Sequence, residues 1–198
     1  DITASILDDS VALIVKLHYS KGGPRTACLS SGLLTPEGKL VGGTLWLPPP
    51  PGAAKWAVKH TECDYPKVIT LSRMVIEEDV GKNAASLMLG SNVKTLRADG
   101  YQVAVTYADR LEGHTGGVYQ ASNWVYVGET ATRPRWVDPE GAMRSLRCTV
   151  NISAKEARAR GWKRVPGLPK AIFVYAVNRR YRKNVEAMRK PYPVLAPA

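Results

Sequence analysis

A chain of 198 residues with 44% hydrophobic content is long enough to bury one sizeable core, and its length favours a single domain over residues 1–198. The formal charge of +11 points to an anionic partner: nucleic acid, anionic lipid or a phosphorylated substrate. No apolar run approaches the roughly 18 to 20 residues of a membrane span, and Cys28, Cys63 and Cys148 form neither a CxxC nor a zinc-spaced cluster, so a spanning helix and a zinc ribbon are excluded and a reducing, cytoplasmic setting is expected.

Taken in chain order, Asp8, Asp9 and Ser10 precede an apolar run over 11–17 that Gly22-Gly23-Pro24 stops, which predicts a helix ending near His18. Apolar runs over 26–34 and 39–47 flank Thr35-Pro36-Glu37-Gly38, whose Pro and Gly suit a tight turn, so a hairpin is expected. Prolines over 48–51 cannot donate ladder hydrogen bonds; the second strand should end there and a surface segment follow. A strand over 67–76 and an acidic turn lead into a helix over 83–98, terminated by Asp99-Gly100. The strand over 102–107 then runs into Ala108-Asp109, a Gly-rich loop, a short helix over 116–122 and a strand over 124–127. The last third reads as a basic linker (Arg133-Pro134-Arg135-Trp136), a strand over 144–151, a helix over 154–160 capped by Ser153, a strand over 171–177 and a basic tail.

This mixed order predicts an α+β fold, an α/β-type three-layer arrangement with a central mixed sheet flanked by helices. It suggests the acyltransferase-like GNAT fold, in which a strand-turn-helix presents backbone amides to a pyrophosphate. The corresponding turn is Asp79-Val80-Gly81-Lys82-Asn83-Ala84, which makes Gly81, Lys82, Asn83 and Ser86 the candidate cofactor-binding residues. With one glycine and acidic residues before it, the turn would repel phosphates as well as offer amides, and acyl-CoA is disfavoured.

Polar and aromatic side chains concentrate between Tyr107 and Trp124. Asp109 at a strand end sits where sheet-based sites gather, and the glycines let backbone turn closely around a ligand. Equally, Asp109 could cap a turn and Tyr119 could pack its ring on the sheet. His18-Tyr19 is a second candidate: imidazole suits proton transfer near neutral pH and a phenol can ligate iron, although a histidine at a helix end also serves as a C-cap charge.

Three segments together resemble the Mom family of Mu-like bacteriophage proteins: His18-Tyr19-Ser20; Leu71-Ser72-Arg73 followed by Gly81-Lys82-Asn83-Ala84-Ala85-Ser86; and Tyr107-Ala108-Asp109 with Gly116-Gly117-Val118-Tyr119-Gln120-Ala121-Ser122-Asn123. The likeness runs in order from about residue 10 to 130, and the last block is its specific part. It implies a phage-encoded enzyme in the host cytoplasm that converts adenine in duplex DNA to N6-carbamoylmethyladenine and so protects the phage genome from restriction. It also implies His18, Tyr19, Asp109 and Tyr119 as catalytic residues. Iron is the implied cofactor, with Tyr19, Asp109 and Tyr119 as candidate ligands; acid/base work and substrate orientation are the alternative role of the set. Reaching adenine's amino group calls for base extrusion, with Tyr19, Tyr107, Tyr119 and Trp124 as rings that could hold the base or simply pack in the core.

Charge is unevenly spread: residues 1–129 hold 12 Lys+Arg against 13 Asp+Glu, and residues 130–198 hold 16 against 4. The expected partner is therefore double-stranded DNA, contacted by Arg133, Arg135, Arg144, Arg147, Arg158, Arg160, Lys163 and Arg164, with Arg179, Arg180, Arg182 and Lys183 extending the track. A homodimer is left open, and no membrane partner is expected. The rival readings are an acyl-CoA-dependent N-acyltransferase of a small amine and a non-catalytic DNA-binding protein.

Overall fold

Six strands form the central sheet of the computed structural model, which describes residues 2–18, 27–144 and 152–193. Helix α1 (Ile2–Leu17) lies on the hairpin of β1 (Leu29–Leu34) and β2 (Leu40–Leu47), where Ile14 packs with Leu45 and the later Val75. Gly38 closes the turn with φ 84, which a side chain would strain; its N–H donates to the Thr35 carbonyl, and Thr35 N–H to that of Lys39, both at 2.9 Å.

In place of the expected surface segment after the prolines, the chain forms a helix, α2 (Pro51–Thr61). Pro51 occupies the first helical turn, where its missing N–H is not needed, so the proline run that ends β2 also starts a helix. Ala54 and Ala57 bury the inner face of α2.

Next come β3 (Val68–Ile76), α3 (Ala84–Ala98) and β4 (Val103–Ala108). The sheet order is β1-β2-β3-β4-β9-β5, with β9 (Ala171–Ala176) inserted between β4 and β5 (Val125–Glu129). Alternation along the strands serves two cores. Ala104, Phe173 and Trp124 face α3, while Val103, Val105, Val174 and Val125 face α2 and α6 (Arg182–Ala187). Burying rings of the size of Phe173 and Trp124 stabilises by about 2 to 3 kcal/mol each. The expected α+β fold with a mixed central sheet is the fold observed.

Among the described strands β3 and β4 alone pair in parallel, and only from Val68↔Val103 to Leu71↔Thr106. Beyond that rung β3 stays with β2 as far as Ile76, and β4 with β9 as far as Ala108. The cause is local. Leu45 pairs with Arg73 and Trp46 with Leu71, so Ser72 is an extra residue in β3, a bulge that bends the strand where it must part from β4. A wedge opens between the two strands.

A second sheet of three short strands has β6 (Arg135–Val137) at its centre, between β7 (Met143–Arg144) and β8 (Lys163–Val165), with α5 (Ala154–Ala159) beside it. The stretch read as a basic linker therefore holds a strand. Trp136 is buried, and its two neighbours are partly so, which gives the segment the alternation a linker lacks. Of the strand expected over 144–151 only Met143–Arg144 is described. Ser153 caps α5 as expected, accepting from Glu156 N–H at 3.1 Å. The basic tail also folds: Asn178 caps a 3₁₀ turn over Arg179–Tyr181, and α6 follows, burying Tyr181 and Val185 against the α2 side of the sheet. No described helix is long and apolar enough to cross a membrane.

Candidate active site

The wedge between β3 and β4 is the mouth of a cleft of about 370 Å³, within the size range of small-ligand pockets, about 300 to 1,000 Å³. The bent half of β3 (Leu71–Met74) forms one wall, the end of β4 (Thr106–Ala108) another, the loop over 113–116 with α4 (Gly117–Ala121) the third, and His18 closes it. Thr106 marks the split. Its hydroxyl donates to the Leu71 carbonyl at 3.2 Å, replacing with a side chain the backbone rung that the parting strands lose.

Tyr119 lies against this point. Its ring packs on Phe173 (5.3 Å between centroids) and Trp124 (5.8 Å). Burial pushes its phenol above the ordinary tyrosine value, opposed by a hydrogen bond with the Thr106 hydroxyl. Tyr107 is also pushed up by burial, and Arg133 is close enough for its charge to oppose that shift. His18 is buried at the end of α1, its backbone N–H donating to the Ile14 carbonyl at 2.8 Å.

Gly116 sets the third wall. It adopts φ 76, and a Cβ there would sit 2.4 Å from the Phe173 ring, so both the conformation and the contact require glycine.

Asp109 has a different place. It is 2% exposed and is not among the residues lining the cleft. One carboxylate oxygen is held by Arg135 and by Lys170 at 2.9 Å, and the other accepts from Leu111 N–H at 3.2 Å. Its carbonyl accepts from Glu112 and His114 N–H, and Arg135 continues to Glu112 at 2.8 Å. Burial works to raise its pKa, but the Lys170 hydrogen bond and charge, the Arg135 charge and the Leu111 amide outweigh it and hold the carboxyl below its ordinary value. Asp109 thus shapes the loop that walls the cleft and fastens β6 to it.

The structure brings His18 and Tyr119 to one cleft and sets Asp109 in the network behind its wall; Tyr19 lies outside the described residues. Among the described residues no group of three His, Cys, Asp or Glu side chains could hold a metal ion. With both Asp109 oxygens already engaged, the described members of the Tyr19, Asp109, Tyr119 set do not fit iron. Gly81, Lys82 and Asn83 are exposed at the start of α3, where Asn83 has φ 70 and gives no side-chain cap, and Ser86 hydrogen-bonds Ser122 at 3.2 Å.

Of the expected DNA-binding residues, Arg133, Arg158, Arg160, Lys163 and Arg164 are exposed, with Arg158 over the Trp136 ring and Arg160 paired with Glu156. Arg135 turns inward to Asp109 and Glu112, so its charge is already matched. The side chain of Arg144 and all of Arg147 lie outside the described residues. Sequence reasoning passed over Thr106 and Lys170. A lone threonine after the apolar run Val103-Ala104-Val105 was a signal for the first, whereas Lys170, 61 positions from Asp109 in the chain, left none.

The Mom protein family matches this chain over residues 2–194. None of the curated proteins matches it. Among solved structures it is similar to an N-acetyltransferase from Staphylococcus aureus Mu50 (17% identity, TM-score 0.42, 73% of this chain and 65% of that one). It is also similar to a putative acetyltransferase from Acinetobacter baylyi ADP1 (14%, 0.43, 73% and 60%) and to an aminoglycoside 6'-acetyltransferase type Ii (11%, 0.49, 89% and 94%). The chain thus spans under two thirds of the length of the first two.

Proposed function

We propose that this chain, which belongs to the Mom protein family, is a transferase that modifies adenine in duplex DNA, adding a carbamoylmethyl group to the exocyclic nitrogen and thereby masking phage DNA from restriction. The observation that carries the reading is the coupling of a base-sized cleft to a basic unit: Arg135 ties β6 to the cleft loop, and Arg133, beside Tyr107, starts a set of exposed cations on β8 and α5. DNA phosphates held on that unit would place an extruded base near the wedge.

The residues divide the chemistry as follows. Adenine's amino lone pair is delocalised into the ring, so forming the new N–C bond requires that the N–H proton be taken as the donor's leaving group departs. His18 is the base for that proton. Tyr119, kept protonated by burial, donates its O–H to the Thr106 hydroxyl, whose own proton goes to the Leu71 carbonyl. It thus offers the base its ring and its hydroxyl oxygen as an acceptor, and Tyr107 offers a second ring. Asp109 acts as a positioning residue through the loop over 110–116.

The test is mass spectrometry of nucleosides from plasmid DNA in cells expressing the chain, beside a His18→Ala/Tyr119→Phe control. A heavier adenosine, present only with the intact chain, is the expected result. Unmodified nucleosides with the folded protein present would discard the reading. Acyl transfer from acyl-CoA to a small amine is the second reading, favoured by the uncapped first turn of α3; retention of the protein on immobilised CoA would support it.

A further inference from the structure

A second hollow, about 750 Å³, lies at the free edge of β5, where Lys190 N–H donates to the Tyr126 carbonyl. Five cations line it, Arg97, Arg179, Arg182, Arg189 and Lys190, against one carboxylate, Glu186. Arg189 is paired with that carboxylate at 2.7 Å, and Arg97 donates through Nε to the Val177 carbonyl. Arg179, Arg182 and Lys190 have no carboxylate partner among the described residues. Like charges gathered around a concave wall repel one another and focus a positive field into it, an arrangement that an anion would relieve.

Trp124 also lines the hollow, is 2% exposed, and its indole Nε1 has no hydrogen-bond partner among the described residues. Its stacking neighbour Trp46 meets the same need through the Thr44 hydroxyl at 3.2 Å. The wall of the hollow thus carries an unmet donor, which an acceptor would reach only through a small shift that uncovers it.

We infer that this hollow binds a phosphate ester. Four of the five cations are arginines, whose forked donors match phosphate oxygens in pairs, and the partly buried Tyr175 and Tyr192 add aromatic surface on which a nucleobase could stack. The phosphate comes either from a free nucleotide or from the DNA backbone. The inference does not depend on the proposed modification chemistry, because binding is read without turnover.

The test measures affinity by fluorescence anisotropy for two probes, a labelled ATP and a short labelled duplex, at one fixed salt concentration. The variants are Arg179→Ser/Arg182→Ser and, as a control of equal charge loss on exposed positions outside both basic surfaces, Lys55→Ser/Lys59→Ser; circular dichroism confirms their fold. The hollow variant should lose roughly tenfold or more in affinity for at least one probe, with the control losing under about threefold for that probe. Loss with ATP identifies a nucleotide site, and loss with the duplex alone identifies a backbone phosphate. Equal losses in the two variants on both probes, or no binding of either probe by the intact chain, would overturn the inference.

Discussion

The short helix α4 stands between two hollows of opposite character. On one side Gly116, Gly117 and Tyr119 face a cleft of hydroxyls, imidazole and backbone; on the other Gln120 and Asn123 border a hollow crowded with arginines. A single motif thus serves both. The difference is instructive: the cleft holds groups whose protons can move, while the edge hollow holds fixed charge. Tyr192 joins them, its ring among the lining of the hollow and its hydroxyl donating to the Thr115 carbonyl in the cleft wall.

The comparison breaks most completely at Gly116. Replacing it with alanine adds a methyl group 2.4 Å from Phe173 at a φ of 76, and both the overpacking and the backbone strain must be relieved by moving the loop. Denaturant unfolding should show a loss of about 3 kcal/mol or more, with DNA modification abolished. A variant of unchanged stability would mean that the loop yields easily and that the cleft wall is not fixed by this contact.

Next in size is Asp109→Asn, which spares the cleft lining but breaks the network behind it. Removing a buried charge from its partners costs about 3 to 5 kcal/mol. Arg135 is 19% and Lys170 40% exposed, so water solvates them in part and about 2 to 3 kcal/mol is the better expectation. The pH dependence has a definite sign. The folded state holds this carboxyl below its ordinary value, so its stabilisation is complete above about pH 4 and is lost as pH falls through the folded value. The stability gap between wild type and variant should shrink on acidification; a gap constant from neutral pH to below that range would contradict the ion-pair account.

These two positions also mark how far the sequence could be read. Apolar runs bounded by turn residues placed β3, β4 and the helix expected over 83–98, and Ser153 announced α5, because each rests on neighbours in the chain. The segments misread as linker or tail, Arg135–Val137 and Arg182–Ala187, are short and basic, and it is distant partners such as Glu112 and the α2 face that order them. At the site, His18 and Tyr119 stood out by residue type. The partnering of Asp109 with Lys170 and the Ser72 bulge that opens the cleft did not, since register and long-range pairing leave no local mark.

Sharpening the contrast needs a change that touches protons alone. Tyr119→Phe keeps the ring against Phe173 and Trp124 and removes only the hydroxyl partnered by Thr106. Modification of DNA should fall about a hundredfold, while stability moves by no more than about 1 kcal/mol and affinity for a duplex stays within about twofold. A parallel loss of stability would assign the hydroxyl to packing.

The smallest effect tests whether fixed charge on the second sheet serves the cleft or stands apart from it. Arg133, Lys163 and Arg164 are exposed, and none has a carboxylate partner among the described residues. Replacing all three with serine should flatten the slope of log affinity for duplex DNA against log salt by about 2 to 3, at about 0.9 for each phosphate that is no longer neutralised, with stability changed by less than about 0.5 kcal/mol. Arg135→Ser should instead destabilise the fold, because its charge is already engaged by Asp109 and Glu112. An unchanged slope in the triple variant would remove β8 and Arg133 from the DNA surface and leave the cations of α5 and of the edge of β5 as its remaining anchors.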